Sequence, residues 1–351
     1  MKIGIIGPAL AGKTTLFQLL TGTTSIHGGK NGIPLGAARI PDIRIDKLAA
    51  IFNPKRTIHA SVEFADFPAL GHGGEFNGET AGRLKTLDAL TVVVRAHRDP
   101  AVPWPQEPIE PDIAFANFLQ EMILTDLVQV EKLLSRNKDK KRTAMEESFL
   151  IDCQTLLEEM KPISAANWSK EALPYLRNYA FLSSRPVLVA VNVDEEQLQM
   201  HSYAGRDQLV AQCQAAGYPL IEFCGTLEKE INQMEPQEQQ LFMAEYGLAQ
   251  SGISRLAAAA YQLLNLISFF TVGEDEVRAW TIEAGTPAKK AAGKIHSDIE
   301  RGFIRAEIIN YEEFMTLDAS FKTARELGKL RLEGKDYLVA DGDIINFRFN
   351  V

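Results

Sequence analysis

Cysteine is scarce in this 351-residue chain, and what there is stands alone. Cys153, Cys213 and Cys224 form no C-x-x-C pair. That excludes a disulfide framework and a cysteine zinc site, and it points to the reducing cytoplasm. The six histidines show no H-x-x-x-H spacing, so a built-in metal site of that kind is not expected. No uninterrupted apolar run reaches the roughly 18 residues that a membrane helix needs. Positive charge is not in excess either: 37 Lys and Arg against 46 Asp and Glu leave a net charge of −9. Such a balance argues against a protein that coats DNA non-specifically, while leaving room for docking on a ribonucleoprotein through a local basic patch. The remainder is ordinary for a globular protein, with 46% apolar and 24% charged residues. The length suffices for two or three cores.

Against these absences one stretch stands out. Gly7-Pro8-Ala9-Leu10-Ala11-Gly12-Lys13-Thr14 reads G-x-x-x-x-G-K-T, followed by Thr15. In that pattern Gly7 and Gly12 let the backbone turn tightly and present its N–H groups to phosphate oxygens. Lys13 neutralises the β- and γ-phosphates, and the Thr14 hydroxyl ligates Mg²⁺. Lys2-Ile3-Gly4-Ile5-Ile6 reads as a short buried strand, and Thr14 to Leu20 as a helix stopped by Gly22. Strand, loop and helix thus come in the order phosphate binding requires, with the helix's positive end at the loop. A secretory segment is the alternative for an apolar run after Lys2, but Lys-Thr-Thr in helical register does not continue one.

Four further apolar segments read as strands: Ser61 to Asp66, Leu90 to Ala96, Pro186 to Val193 and Pro219 to Cys224. Two of them are nearly continuous, as strands buried on both faces are. Interleaved helical stretches predict a mostly parallel α/β sheet that binds ligands at the carboxyl ends of its strands. Between the strands, Leu119 to Leu134 and Phe149 to Met160 carry helical apolar stripes joined by the polar turn Asn137 to Arg142. They predict an inserted antiparallel helical hairpin. After Leu266 the pattern of strands, one helix and the Asp341-Gly342-Asp343 turn predicts a small mixed sheet folding separately. The expected division is 1–112 with 183–266 for the phosphate-binding domain, 113–182 for the hairpin and 267–351 for the last domain.

Asp66 ends an apolar strand, where a Mg²⁺-linked acid belongs in phosphate-binding folds. Two positions that often sense phosphate and orient water carry Ala69 and Leu70, and an alkyl side chain orients no water. Any hydrolysis is therefore expected to be slow or to recruit another group. Base recognition usually comes from N-K-x-D after a later strand; here it reads Asn192-Val193-Asp194-Glu195. Replacing the Asp by the longer Glu195 and the stacking Lys by Val193 removes the fit to guanine. Asp194 also suits a helix N-cap.

Together these motifs resemble the YchF (Obg-like ATPase) family, P-loop proteins of the translation-factor class that prefer ATP to GTP. The resemblance is strongest in Val277-Arg278-Ala279-Trp280-Thr281-Ile282, Ala291 to Asp298, Gly302 to Ala306 and Glu333 to Tyr337. It implies a C-terminal β-grasp domain of the TGS type, and Ile113 to Leu182 as the family's helical hairpin. It further implies that residues Gly7 to Thr15 bind phosphates, that Thr14 and Asp66 hold Mg²⁺, that Asn192 to Glu195 face the base and that Cys224-Gly225-Thr226 forms the base loop. The implied partners are a nucleotide and the ribosome or its RNA, with no membrane. Two departures stand out. Residues Gly28 to Arg39 contain no Thr or Ser where the family's first switch has a Mg²⁺-binding Thr. The loop Asp99 to Pro111 lacks the family's proposed catalytic His, for which His97 is the nearest substitute and His72 another candidate. A GTPase of the same fold and a non-hydrolysing nucleotide-gated scaffold are the alternative functions.

Overall fold

The computed structural model describes residues 1–23, 32–69, 76, 78–99, 101–102, 104, 108–135 and 142–350. Leu70, His72, residues 28–31 of the first-switch segment and most of the 137–142 turn lie outside them.

The chain divides into two compact units, the first made of Met1–Ala37 and Glu63–Ala260. Its sheet is built from β1 (Lys2–Ile6), β2 (Leu35–Arg39), β4 (Ser61–Asp66), β5 (Ala89–Arg95), β6 (Val187–Asn192) and β7 (Leu220–Phe223), in the order β2-β4-β1-β5-β6-β7. β3 (Arg56–Ile58) lies elsewhere. The pairs β4-β1, β1-β5, β5-β6 and β6-β7 are all parallel. Every residue of β5 and β6 is buried, which is why both read as unbroken apolar runs. Helices α1 (Lys13–Thr21), α3 (Gly78–Leu84), α4 (Pro111–Ser135), α7 (Glu195–Met200), α8 (Arg206–Ala216), α9 (Gly225–Gln233), α10 (Pro236–Glu245) and α11 (Gly252–Leu263) belong to this unit, with α2 (Ile43–Phe52) in the other.

The insertion is both a crossover and a hairpin. The first half of the 25-residue α4 packs Phe115, Phe118 and Met122 into the core beneath the sheet. Its second half joins α5 (Ala144–Glu158) and α6 (Leu173–Tyr179) in a separate cluster containing Ile123, Val130, Phe149, Leu150 and Leu157. At the changeover Asp126 is fully buried and accepts the backbone N–H groups of Leu182 and Ser183 at 2.9 and 2.7 Å. By length and composition alone α4 could cross a bilayer; Phe115, Phe118, Met122, Ile123 and Val130 are used by these two cores, whereas Ile113, Leu124 and Val128 are exposed.

The second unit comprises Ala38–Val62 and Tyr261–Val351. Its sheet runs β11-β10-β12-β8-β9-β3, with β8 (Leu266–Thr271), β9 (Glu276–Glu283), β10 (Phe303–Asn310), β11 (Arg331–Glu333) and β12 (Asp343–Phe349). α12 (Ala288–Ile295) and α13 (Ser297–Arg301) pack on it, burying Ala288, Ala291 and Ala292 against Phe269, Ile308 and Phe347. Two more short helices follow, α14 (Tyr311–Thr316) and α15 (Phe321–Glu326). Segment 38–62 departs from the expected division, which placed all of 1–112 with the phosphate-binding sheet. β3 pairs in parallel with β9, and Arg44 of α2 is bonded to Asp42 and Asp341 while lying 5.2 Å from the Phe270 ring centre. These contacts to a sheet more than 200 positions away, made by side chains of ordinary character, explain why the sequence order misleads here.

Candidate nucleotide-binding site

The loop after β1 has the backbone its glycines require. Gly7 has φ +145°, and a Cβ there would sit 2.2 Å from the Val93 carbonyl oxygen of β5. Gly12 has φ +98°, and a Cβ there would sit 2.4 Å from Asn192 Nδ2. Both positions therefore exclude a side chain on two independent grounds. Helix α1 starts at Lys13 with no side-chain cap and no acid in its first turn, so its N-terminal amides carry an uncompensated positive end.

Lys13 is 7% exposed, and its Nζ donates to the Pro8 carbonyl at 2.7 Å. Burial pushes its pKa down to about 8, against a smaller upward pull from Asp66. Thr14 Oγ1 donates to Asp66 Oδ2 at 2.8 Å. Burial raises the Asp66 pKa, partly opposed by Thr14 and Lys13. The other carboxylate oxygen, Asp66 Oδ1, is buried with no hydrogen-bond partner. The Thr14 hydroxyl and the Asp66 carboxylate, with its Oδ1 left unsatisfied, are hard oxygen donors of the kind Mg²⁺ takes, so Thr14 and Asp66 fit that ion.

Asn192, at the end of β6, is a brace. Its Nδ2 donates to the Ala11 carbonyl at 3.1 Å, and its Oδ1 accepts from the Gly225 amide at 3.3 Å. One amide thus ties the phosphate loop to the loop opening α9. Val193 and Asp194 line the same cavity of about 470 Å³ as Leu10, Gly12, Lys13, Thr14 and Thr15. Asp194 also caps α7: its carboxylate accepts the Gln197 amide at 2.9 Å, and Gln197 Oε1 accepts the Asp194 amide at 3.1 Å. Glu195 is not among the lining residues; its carboxylate accepts from the Tyr246 hydroxyl at 3.4 Å. Gly225 and Thr226 line the cavity, whereas Cys224 is buried beneath with its Sγ 3.1 Å from Thr226 Oγ1 and its thiol pKa raised by burial. Pro8, Ala9 and Ala11 shape the loop without lining the cavity.

His97 does reach the cavity. Its amide donates to the Asn192 carbonyl at 3.0 Å, and its Nδ1 is buried without a partner. Burial, with Arg95 beside it, lowers its pKa and leaves the ring neutral near pH 7. Sequence reasoning missed Arg98, Val102 and Lys229. Only Lys229 left a signal: it lies four residues after Gly225 on α9, one turn along the same face.

A parallel sheet with a glycine cradle at its switch point, a buried lysine and a Thr–Asp pair defines a P-loop nucleotide-binding protein. Comparison with known proteins narrows this class. The YchF-GTPase_C family model, described as a protein of unknown function (DUF933), matches residues 266–350. A Bacillus subtilis (strain 168) protein named ribosome-binding ATPase YchF is 37% identical over 371 residues, covering 100% of both chains. Its namesake from Escherichia coli O157:H7 is 36% identical over 374 residues, covering 100% of this chain and 99% of the relative. The solved Schizosaccharomyces pombe YchF GTPase superposes with a TM-score of 0.88 at 26% identity, covering 99% and 97% of the two chains. The chain belongs to the YchF family: a P-loop domain with a helical insertion and a C-terminal β-grasp domain.

Proposed function

We propose that this chain binds ATP with Mg²⁺ in the cavity at the strand ends, and hydrolyses it slowly or when stimulated by the ribosome, in the cytoplasm. The observation that carries the reading is that Lys13 and Thr14, the latter bonded to Asp66 behind it, line one cavity at the uncapped start of α1. Lys13 and the loop amides are positioned to stabilise charge on the transferred phosphate. Thr14 and Asp66 would hold Mg²⁺, which when bound neutralises phosphate charge and orients the triphosphate. Val193 in place of a stacking lysine, and Glu195 held by Tyr246, support adenine over guanine. Ala69 and Leu70, with no Thr or Ser across 28–39, support slow turnover. The ribosome is supported by the names of the relatives, with the helical hairpin and the TGS-type C-terminal domain as the contacting parts.

Titration calorimetry of ATP and GTP with and without Mg²⁺ tests this. ATP should bind more tightly, and Mg²⁺ should strengthen it; a tenfold preference for GTP overturns the base assignment. Phosphate release no faster than that of Lys13→Ala, with and without ribosomes, would replace hydrolysis by nucleotide-gated binding.

A further inference from the structure

Within the second unit a cavity of about 480 Å³ lies beside β12. Ile344, Ile345, Asn346 and Phe347 line it in succession. Successive strand side chains point to opposite faces, so four in a row meet one cavity only along the strand's edge. The pairing of β12 explains the opening. Its neighbour β10 accompanies it to Phe303↔Phe349, whereas β8 pairs with it only at Ile344↔Phe270 and ends at Thr271. Beyond the end of β8, residues 346–349 therefore have a strand on one side only, and Asn346, Phe347 and Phe349 line the cavity. Ile295 and Ile299 wall the slot on one face, and Phe321, Leu330 and Arg325 contribute from α15 and the segment after it.

The charges here are asymmetric. Glu307, also in the wall, is already held by Arg348 and Asn346; their pull, with a weaker one from Arg325, keeps its carboxyl below the usual range despite burial. Arg325 has no ion pair within 4.0 Å among the described residues and is exposed. An open strand edge supplies main-chain donors and acceptors, apolar walls take alternate side chains, and the Arg325 guanidinium, near enough to Glu307 to act on its charge but in no ion pair among the described residues, takes a carboxylate.

We propose that this slot binds an extended peptide segment by strand addition along β12: a run of alternating apolar residues carrying one acidic side chain for Arg325. At about 3.3 Å per residue, the 346–349 edge takes roughly four residues. The site is independent of the nucleotide cavity.

The test uses the full chain and the C-amidated peptide Val-Thr-Val-Glu-Val-Thr labelled with an uncharged BODIPY dye, so that its one carboxylate is the glutamate. Fluorescence anisotropy should show saturable binding. N-methylation of alternate backbone amides should weaken it about tenfold, since two main-chain hydrogen bonds are lost. Arg325→Glu, at an exposed position, should weaken it about fivefold with an unchanged thermal midpoint. Absence of binding below about 1 mM would overturn the proposal. So would equal binding of the N-methylated peptide, an unchanged affinity in Arg325→Glu, or displacement of the peptide by hexauridylate.

Discussion

Two part-buried cations, one in each unit, are treated in opposite ways. Arg44 is surrounded by what it needs: Asp42 and Asp341 accept its N–H groups, and its pKa is raised. Lys13 is more deeply buried yet donates only to a carbonyl, and its pKa falls to about 8. The carboxylate closest to it in charge, Asp66, is bonded to Thr14 and keeps one oxygen unsatisfied. A buried charge is retained without full compensation where a ligand completes it, and with full compensation where it holds the fold together. The difference between the two units is therefore one of completeness rather than polarity.

Removing each cation is the most direct way to break the comparison. Lys13→Ala should weaken ATP binding about a hundredfold while leaving the melting temperature of the ligand-free protein unchanged or raised, measured by calorimetry and thermal unfolding. Arg44→Ala should do the reverse. Uncompensated Asp42 and Asp341 should cost about 2 kcal/mol of stability in denaturant titration, with ATP affinity within twofold of wild type. Asn192→Ala releases the brace at both ends and should weaken ATP binding about tenfold, since two buried hydrogen bonds are lost at once.

The pH dependence sharpens the same contrast. With a ligand-free pKa near 8, Lys13 is half protonated at pH 8, and a bound polyphosphate draws it to full protonation. ATP binding should then take up about half a proton at pH 8, almost none at pH 6, and approach one at pH 9.5. Calorimetry in buffers of different ionisation enthalpy measures this. The folded pKa lies below the unfolded value of 10.5, so Lys13 contributes a penalty below pH 8 that fades as pH rises from 8 towards 10.5. The smallest effect is expected at His97: its replacement by Ala should slow phosphate release about threefold, because its neutral ring lines the cavity beside Lys13 and Thr14.

The phosphate loop and the central strands were legible because each is local. Gly7 to Thr15 is contiguous, and the double burial of β5 and β6 leaves an unbroken apolar run. The sequence marks Asn192 as a candidate for facing the base, but its work as a brace is not visible there, because Ala11 lies 181 positions away. Glu195 was read as facing the base beside Asn192; the start of α7 directs it to Tyr246. The membership of 38–62 in the second unit also stayed hidden, since nothing in the short Arg-Thr-Ile strand names its partner.

The continuity of α4 across two cores has a mechanical consequence. The helix begins at Pro111, shortly after Arg98, Asp99 and Val102, which line the nucleotide cavity. At 1.5 Å per residue its 25 residues make a rod of about 37 Å. A tilt of about 5° at the near end carries the far end through about 3 Å, so a small adjustment beside the ligand becomes a displacement large enough for another molecule to feel.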